Sequence, residues 1–122
     1  MRRSIGMIAI AGGTVAVLMS GTVVTAQAPD PAKVAAGQKL YDTLKCGTCH
    51  QVKGVGGKLS TALDGVGGKL PAADIRKWLT DPASMEAKLP KKPTMPMSTY
   101  LKSHKLADAD VDALTAYMLS LK

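Results

Sequence analysis

The stretch "KCGTCHQVKG" at residues 45–54 decides the fold, because it holds both cysteines of the chain and a histidine directly after the second. Two residues separate Cys46 from Cys49, and His50 follows. Three chemistries use this spacing in proteins. They are a disulfide in a dithiol redox site, a pair of zinc ligands, and a haem attached through two thioether bonds with the histidine on its iron.

The surroundings of the motif favour haem attachment. A zinc site needs further ligands, and the sequence has neither a second CxxC nor an HxxxH. A thioredoxin-like dithiol expects a βαβ pattern, whereas a helical pattern precedes this motif. Gly47 and Thr48 are small enough for the turn to lie against a porphyrin edge. We therefore expect Cys46 and Cys49 to bind a single haem and His50 to be an axial ligand of its iron.

The N-terminal part of the chain has the composition of an export signal. Two arginines precede an uncharged apolar run over residues 5–24, and small residues follow it. Cleavage after Ala26 fits better than cleavage after Ala28, where Pro29 would follow the scissile bond. We expect residues 1–26 to be a signal peptide, with an uncleaved membrane anchor as the alternative.

Residues 27–122 are expected to form one small domain in the periplasm. Loss of the two N-terminal arginines lowers the formal net charge from +7 to +5. Acidic residues are interspersed among the lysines and no recognition-helix pattern is present, so we expect no nucleic-acid partner. One tryptophan and three tyrosines are the only aromatic residues, and a large apolar cofactor would complete such a thin core.

Helical patterns dominate this domain, and no strand is predicted. The helices are predicted at residues 29–45, 71–82 and 106–122. Residues 54–70 form a glycine-rich loop in which "GVGGKL" occurs twice, but leucine follows each Gly-Lys pair, so neither copy is a P-loop. Residues 83–105 are predicted as an irregular loop with one helical turn near Met85. The fold class is all-α with long loops, which in a compact domain usually wrap a site.

The chain resembles the small monohaem c-type cytochromes over residues 30–122. Beyond CxxCH, Gly37 and Tyr41 match the glycine and aromatic residue with which that family's first helix crosses its last, and Leu114 and Tyr117 match the partner pair. The resemblance implies a small cytochrome c-like fold, with three to five helices and long loops wrapped around one covalently attached haem.

The resemblance also implies that Trp78 lies against the haem and that the glycine-rich loop covers one haem edge. In one segment the chain departs from the family's pattern. The family usually has Gly-Pro before its LDG segment, and that proline carbonyl accepts a hydrogen bond from the axial histidine. Ser60 and Thr61 stand there in this chain, so we expect the Thr61 carbonyl to orient His50 instead.

Five side chains of the domain can serve as the second axial ligand: Met85, Met95, Met97, Met118 and His104. Met118 lies on the apolar stripe of the last helix and is expected in the core. Met85 is expected at a loop turn. His104 lies among lysines in a polar segment and is expected to be solvated.

Met95 and Met97 lie in the predicted irregular loop, which Pro93 and Pro96 stiffen. In the resembled family the ligand methionine usually precedes a proline, with an aromatic residue soon after. "KPTMP" fits this pattern at Met95, and Tyr100 supplies the aromatic ring. Met97 has the better distance to the last helix if the loop is short. We expect Met95 to be the axial ligand, with Met97 as the alternative.

Two filled axial positions predict a periplasmic one-electron carrier and not an enzyme. The alternatives are a haem subunit of a larger respiratory or oxidising complex, and an open-site haem enzyme such as a peroxidase, or a sensor. We expect a monomer that docks on acidic faces of redox proteins, and membrane contact only if the N-terminal segment is uncleaved. The docking lysines are then Lys45, Lys53, Lys58, Lys91 and Lys92; the alternative is that these lysines only confer solubility.

Overall fold

The computed structural model describes residues 27–122, and the expected signal peptide at residues 1–26 lies outside them. The described chain forms six α-helices and one antiparallel hairpin of two strands. The elements are α1 (Pro31–Thr43), β1 (Gln51–Val52), β2 (Val55–Gly56), α2 (Val66–Lys69), α3 (Ala72–Thr80), α4 (Pro82–Glu86), α5 (Met97–Ser103) and α6 (Asp108–Ser120). Among the described helices, none combines the length and the apolar character needed to cross a bilayer.

The all-α fold class is confirmed, but within residues 27–122 there are six helices instead of three to five. α2 and β2 fall in the glycine-rich segment and β1 comes just before it, where no regular structure was predicted. α2 has 4 residues and each strand has 2. Elements this short leave no periodic pattern in a sequence, which is why the prediction missed them.

The segment predicted as an irregular loop over residues 83–105 contains two helices. α4 is the helical turn expected near Met85. α5 was not predicted, and Met97 is its first residue. Pro96 precedes that residue with extended backbone, at φ −67° and ψ 133°, and so marks the start of the helix. Met95 is therefore the only one of the two ligand candidates that lies in irregular backbone.

The first helix begins and ends at positions that its sequence explains. The carboxylate of Asp30 accepts a hydrogen bond from the Ala32 amide at 2.9 Å, and Pro31 occupies the first helical position. α1 ends at Thr43, and Lys45 adopts left-handed backbone with φ 55°. The chain therefore turns sharply just before Cys46.

The last helix provides most of the core. Val111, Leu114, Met118 and Leu121 are all buried, as the apolar stripe predicts. Ala107 is the N-cap of α6, and its side chain has no hydrogen-bond acceptor. The carboxylate of Asp110 accepts the Ala107 amide at 3.1 Å, which is the half of a capping box that needs no side-chain acceptor at the N-cap.

The predicted crossing of the first and last helices is confirmed, and Gly37 makes it possible. A Cβ atom at Gly37 would lie 2.0 Å from the Ala113 carbonyl oxygen and 2.7 Å from the Cβ of Tyr117. The two backbones therefore touch where no side chain fits between them. Beside this contact the rings of Tyr41 and Tyr117 pack edge to face, with centroids 5.6 Å apart.

Two shorter helices cover other parts of α6. In α3, Ile75 is buried in the core, and Arg76 pairs with Asp112 of α6. Both partners of that ion pair are more than 40% exposed, at 42% and 43%, so it adds little stability. In α2, the Gly67 amide donates to the Leu121 carbonyl at 2.8 Å and joins the glycine-rich segment to the end of α6.

Gly37→Ala is expected to lower the free energy of unfolding by about 3 kcal/mol, because its methyl group meets backbone on α6. Gly68→Ala is the matched control, because nothing lies within 4 Å of a Cβ atom built there. In a helix the control substitution should be neutral, or stabilising by about 0.5 kcal/mol. Denaturant unfolding of both variants measures the difference. Equal midpoints for the two would contradict the close crossing.

Candidate haem site

The CxxCH motif forms a tight turn directly after α1. Cys46–Thr48 is a short 3₁₀ helix, and the Cys46 carbonyl accepts hydrogen bonds from the amides of Cys49 at 3.2 Å and His50 at 3.0 Å. Both cysteines are half-buried and carry free thiols instead of a disulfide. The turn therefore keeps both thiols and the imidazole on one short, hydrogen-bonded segment.

The glycine-rich segment packs on the backbone of this turn. The Gly57 amide donates to the Gly47 carbonyl at 2.7 Å, and the Ser60 amide donates to the Cys49 carbonyl at 3.0 Å. A Cβ atom at Gly57 would lie 1.9 Å from the Thr48 carbonyl oxygen. Gly56 has a positive φ of 116°, which glycine adopts without strain. The glycines thus allow the backbone of this segment to approach the motif closely.

The imidazole of His50 is oriented by a backbone carbonyl. Its Nδ1 lies 2.8 Å from the carbonyl oxygen of Thr61. A carbonyl only accepts hydrogen bonds, so Nδ1 carries the proton and donates it. In the neutral ring this leaves a lone pair on Nε2, the arrangement in which histidine binds a metal. The expectation that Thr61 replaces the family's proline carbonyl is confirmed.

A second contact holds the motif from the side of α1, and the sequence did not reveal it. The hydroxyl of Tyr41 donates to the His50 carbonyl at 2.9 Å. Burial raises the pKa of Tyr41 to about 12, with a further contribution from Cys46. The phenol therefore stays protonated at neutral pH. The sequence analysis assigned Tyr41 only a packing role. The one available sign of a hydrogen bond was that the residue is a tyrosine, with a hydroxyl, and not a phenylalanine, a residue type that the chain lacks.

The protonation of Cys46 separates the alternatives for the motif. Burial raises the pKa of this thiol to about 11, although a hydrogen bond to its own backbone lowers it. An activated dithiol redox site needs the opposite, a lowered pKa that yields a thiolate nucleophile. Over residues 27–122, no three side chains of His, Cys, Asp or Glu are grouped as a metal-ion site. Neither the dithiol nor the zinc alternative is supported.

The donor set fits a covalently attached haem. The two thiols are free and have the spacing of haem attachment, and the imidazole is held at Nδ1 with Nε2 available for iron. Cys46, Cys49 and His50 are the residues that would bind such a group. Two cavities of about 630 and 580 Å³ are lined by other residues and include none of these three. The site is therefore identified by the chemistry of its donor atoms and not by a cavity.

The candidates for the second axial position lie in different environments. Met118 is 7% exposed and belongs to the core, as expected. Met85 in α4 and Met97 at the start of α5 are half-buried. Met95 is 64% exposed and lies in the segment between those two helices. The described contacts do not join it to Cys46, Cys49 and His50.

His104 is less solvated than the sequence suggested. It is half-buried, its ring stacks on Tyr100 with centroids 4.5 Å apart, and its Nδ1 lies 3.0 Å from the Tyr100 carbonyl oxygen. Tyr100 is 39% exposed and donates its hydroxyl to the Leu44 carbonyl. That hydrogen bond joins α5 to the residue two positions before Cys46.

A comparison with protein families tests the resemblance. The family model for cytochrome c matches residues 34–122. The chain belongs to the cytochrome c family. Searches of curated proteins and of solved structures found no match. The resemblance first drawn from CxxCH, Gly37, Tyr41 and the last helix is therefore confirmed.

Membership of this family gives the cofactor and the general role. Cytochromes c bind haem c and its iron covalently, and the family transfers electrons through that iron. This cytochrome c is accordingly a haem-based electron carrier.

Proposed function

We propose that this cytochrome c is a periplasmic one-electron carrier in which His50 and a methionine are the two axial ligands of one haem iron. The observation that carries the proposal is the hydrogen bond from Nδ1 of His50 to the Thr61 carbonyl, at 2.8 Å. It holds the imidazole in the tautomer that leaves Nε2 for iron. With both axial positions filled by the protein, no substrate binds the metal, which favours electron transfer over catalysis.

The haem would supply a one-electron redox couple when bound, and the residues of the chain would attach and orient it. Cys46 and Cys49 attach it, and His50 orients it through the Thr61 carbonyl. That carbonyl also makes the imidazole a stronger donor, a known influence of outer hydrogen bonds on a metal site. The Tyr41 hydroxyl donates a hydrogen bond to the His50 carbonyl oxygen at 2.9 Å, and this bond restricts movement of the turn.

Met95 is our proposed second axial ligand, and Met97 is the alternative. Met95 lies in backbone that no helix fixes, between Pro93 and Pro96, so the segment can be shaped to bring its thioether to the iron. Met97 begins α5 and is already half-buried. Methionine with histidine raises the reduction potential, which suits a carrier that accepts electrons readily.

Optical spectroscopy of the purified holoprotein tests this ligation. The wild-type protein is expected to be low-spin, with the red charge-transfer band of methionine-bound ferric iron. Met95→Ala should abolish the band, and Met97→Ala, which is the matched control, should retain it. A band that survives in Met95→Ala and disappears in Met97→Ala would assign the alternative ligand. A high-spin wild-type protein that binds cyanide would instead support an open-site enzyme or sensor.

We also propose that the protein acts as a monomer and docks on acidic faces of its redox partners. The five lysines named from the sequence are all exposed. Lys45 precedes the motif, and Lys53 and Lys58 lie on the segment that packs against it. Val55 lies between these two lysines and Leu59 follows Lys58, and their side chains are 77% and 68% exposed. Positive charge around exposed apolar side chains beside the motif suits a brief contact with an acidic partner.

The rate of electron transfer to an acidic partner is expected to fall about 10-fold between ionic strengths of about 0.01 and 0.15 M, because salt screens charge attraction. The double variant Lys53→Gln/Lys58→Gln should react more slowly at low salt. Lys69→Gln/Lys77→Gln removes the same charge from exposed positions on α2 and α3 and should change the rate little. Stopped-flow kinetics measures these rates. A flat salt dependence would contradict the docking proposal.

Export is the remaining part of the proposal. Signal peptidase is expected to cut after Ala26, so the mature protein begins at Gln27. N-terminal sequencing and the intact mass of protein from the periplasmic fraction measure this directly. Recovery of the uncut chain in the membrane fraction would support the anchor instead.

A further inference from the structure

A single carboxylate joins the two ends of the segment that carries both candidate methionine ligands. Glu86 is the last residue of α4, and Ser98 is the second residue of α5. Oε1 of Glu86 accepts the Ser98 amide at 2.9 Å, and Oε2 accepts the Ser98 hydroxyl at 2.6 Å. Both residues are half-buried. The carboxylate therefore binds one residue through two hydrogen bonds, across 12 positions of sequence.

These two bonds replace a cap that α5 lacks. Its N-cap is Pro96, which has no side-chain acceptor for the first amides of the helix. Glu86 supplies that acceptor from the preceding helix. Hydrogen bonds to an ionised carboxylate are stronger than neutral ones, and partial burial strengthens them further. Helix α5 thus begins at a position that depends on Glu86.

A separate hydrogen bond fixes α5 to the haem-binding turn. The Tyr100 hydroxyl donates to the Leu44 carbonyl, at the neck between α1 and the CxxCH motif. Tyr100 is one turn of helix from Met97. The helix is therefore tied to the motif by Tyr100 and to α4 by Glu86, and residues 87–97 form a loop closed at both ends.

We propose that Glu86 is a positioning residue for the axial methionine, which it holds in place by keeping residues 87–97 closed. The inference rests on the proposed function, because this segment affects the iron only if it supplies an axial ligand. A loop whose ends are joined samples fewer conformations than one with free ends, so less entropy is lost when its thioether binds. Without the carboxylate, the segment opens more often.

Two variants break the closure in different ways, and one control keeps it. Glu86→Ala removes both hydrogen bonds, and Ser98→Ala removes only the one to the hydroxyl. Asp110→Ala also removes a carboxylate that accepts a backbone amide at the start of a helix, but it lies on α6. It therefore reports the effect of a general loss of stability.

Two measurements on the native ferric holoprotein report opening of the segment. Imidazole can bind the iron only after the methionine leaves, so its rate of entry, followed by the loss of the red band, reports release of the ligand. Trypsin cleavage after Lys88 and Lys91 reports exposure of the segment and does not depend on the iron. Glu86→Ala is expected to raise both rates about 10-fold or more, and Ser98→Ala about 3-fold. Asp110→Ala should stay within about 2-fold of the wild-type protein.

The outcomes separate this inference from the proposed function. Unchanged rates in Glu86→Ala and Ser98→Ala, with the red band present, would overturn the role of Glu86. The same conclusion would follow if Asp110→Ala accelerated both rates equally. A wild-type protein without the band would refute methionine ligation and with it the positioning role, even if cleavage were faster in Glu86→Ala.

Discussion

The close crossing of α1 on α6 at Gly37 is the contact on which the remaining structure depends. No side chain fits between the two backbones there, since a Cβ atom would lie 2.0 Å from the Ala113 carbonyl oxygen. One turn further along α1, Tyr41 packs on Tyr117 and donates its hydroxyl to the His50 carbonyl. The position of α6 thus determines the position of α1, and through Tyr41 it determines where the motif turns. A small core with few aromatic rings gains its rigidity from this backbone contact.

His50 shows how a site can keep its geometry while its sequence changes. The family usually supplies a proline carbonyl to this imidazole, and here Thr61 supplies its own at 2.8 Å. The interaction uses main-chain oxygen, which every residue has, so it depends on the course of the backbone and not on the residue type. That course is held by further main-chain bonds, including Ser60 to Cys49 and Leu63 to Gln51, at 3.0 and 2.9 Å. Departure from the family's pattern at this position therefore leaves the orientation of His50 intact.

The sequence predicted the features that depend on local residue patterns, and it did not predict the hydrogen bonds between residues far apart in the chain. Helices α1, α3 and α6 follow from apolar spacing and prolines, and the donor motif is contiguous. The contact from Glu86 to Ser98 spans 12 positions, and that from Tyr100 to Leu44 spans 56. Neither leaves a periodic trace in the sequence. Helix α5 was missed for a related reason, because its lysine and serines give no apolar stripe and its cap is provided by another helix.

Helix α5 bears on whether Met95 or Met97 is the second axial ligand. Burial favours Met97 as the ligand, whereas backbone freedom favours Met95. Met97 is half-buried, but its backbone is the first turn of a helix held by Glu86 and Tyr100. If it binds iron, only side-chain rotation is available to bring the sulfur into place. Met95 is 64% exposed, yet the backbone before it is irregular and can move as a segment while α5 stays fixed. A thioether sulfur must come close to a metal in a suitable orientation in order to bind it. Movement of an irregular backbone segment gives the sulfur more possible positions than side-chain rotation from a fixed helical backbone. The same closure therefore restricts the backbone of Met97 more than that of Met95, which favours the proposed ligation by Met95.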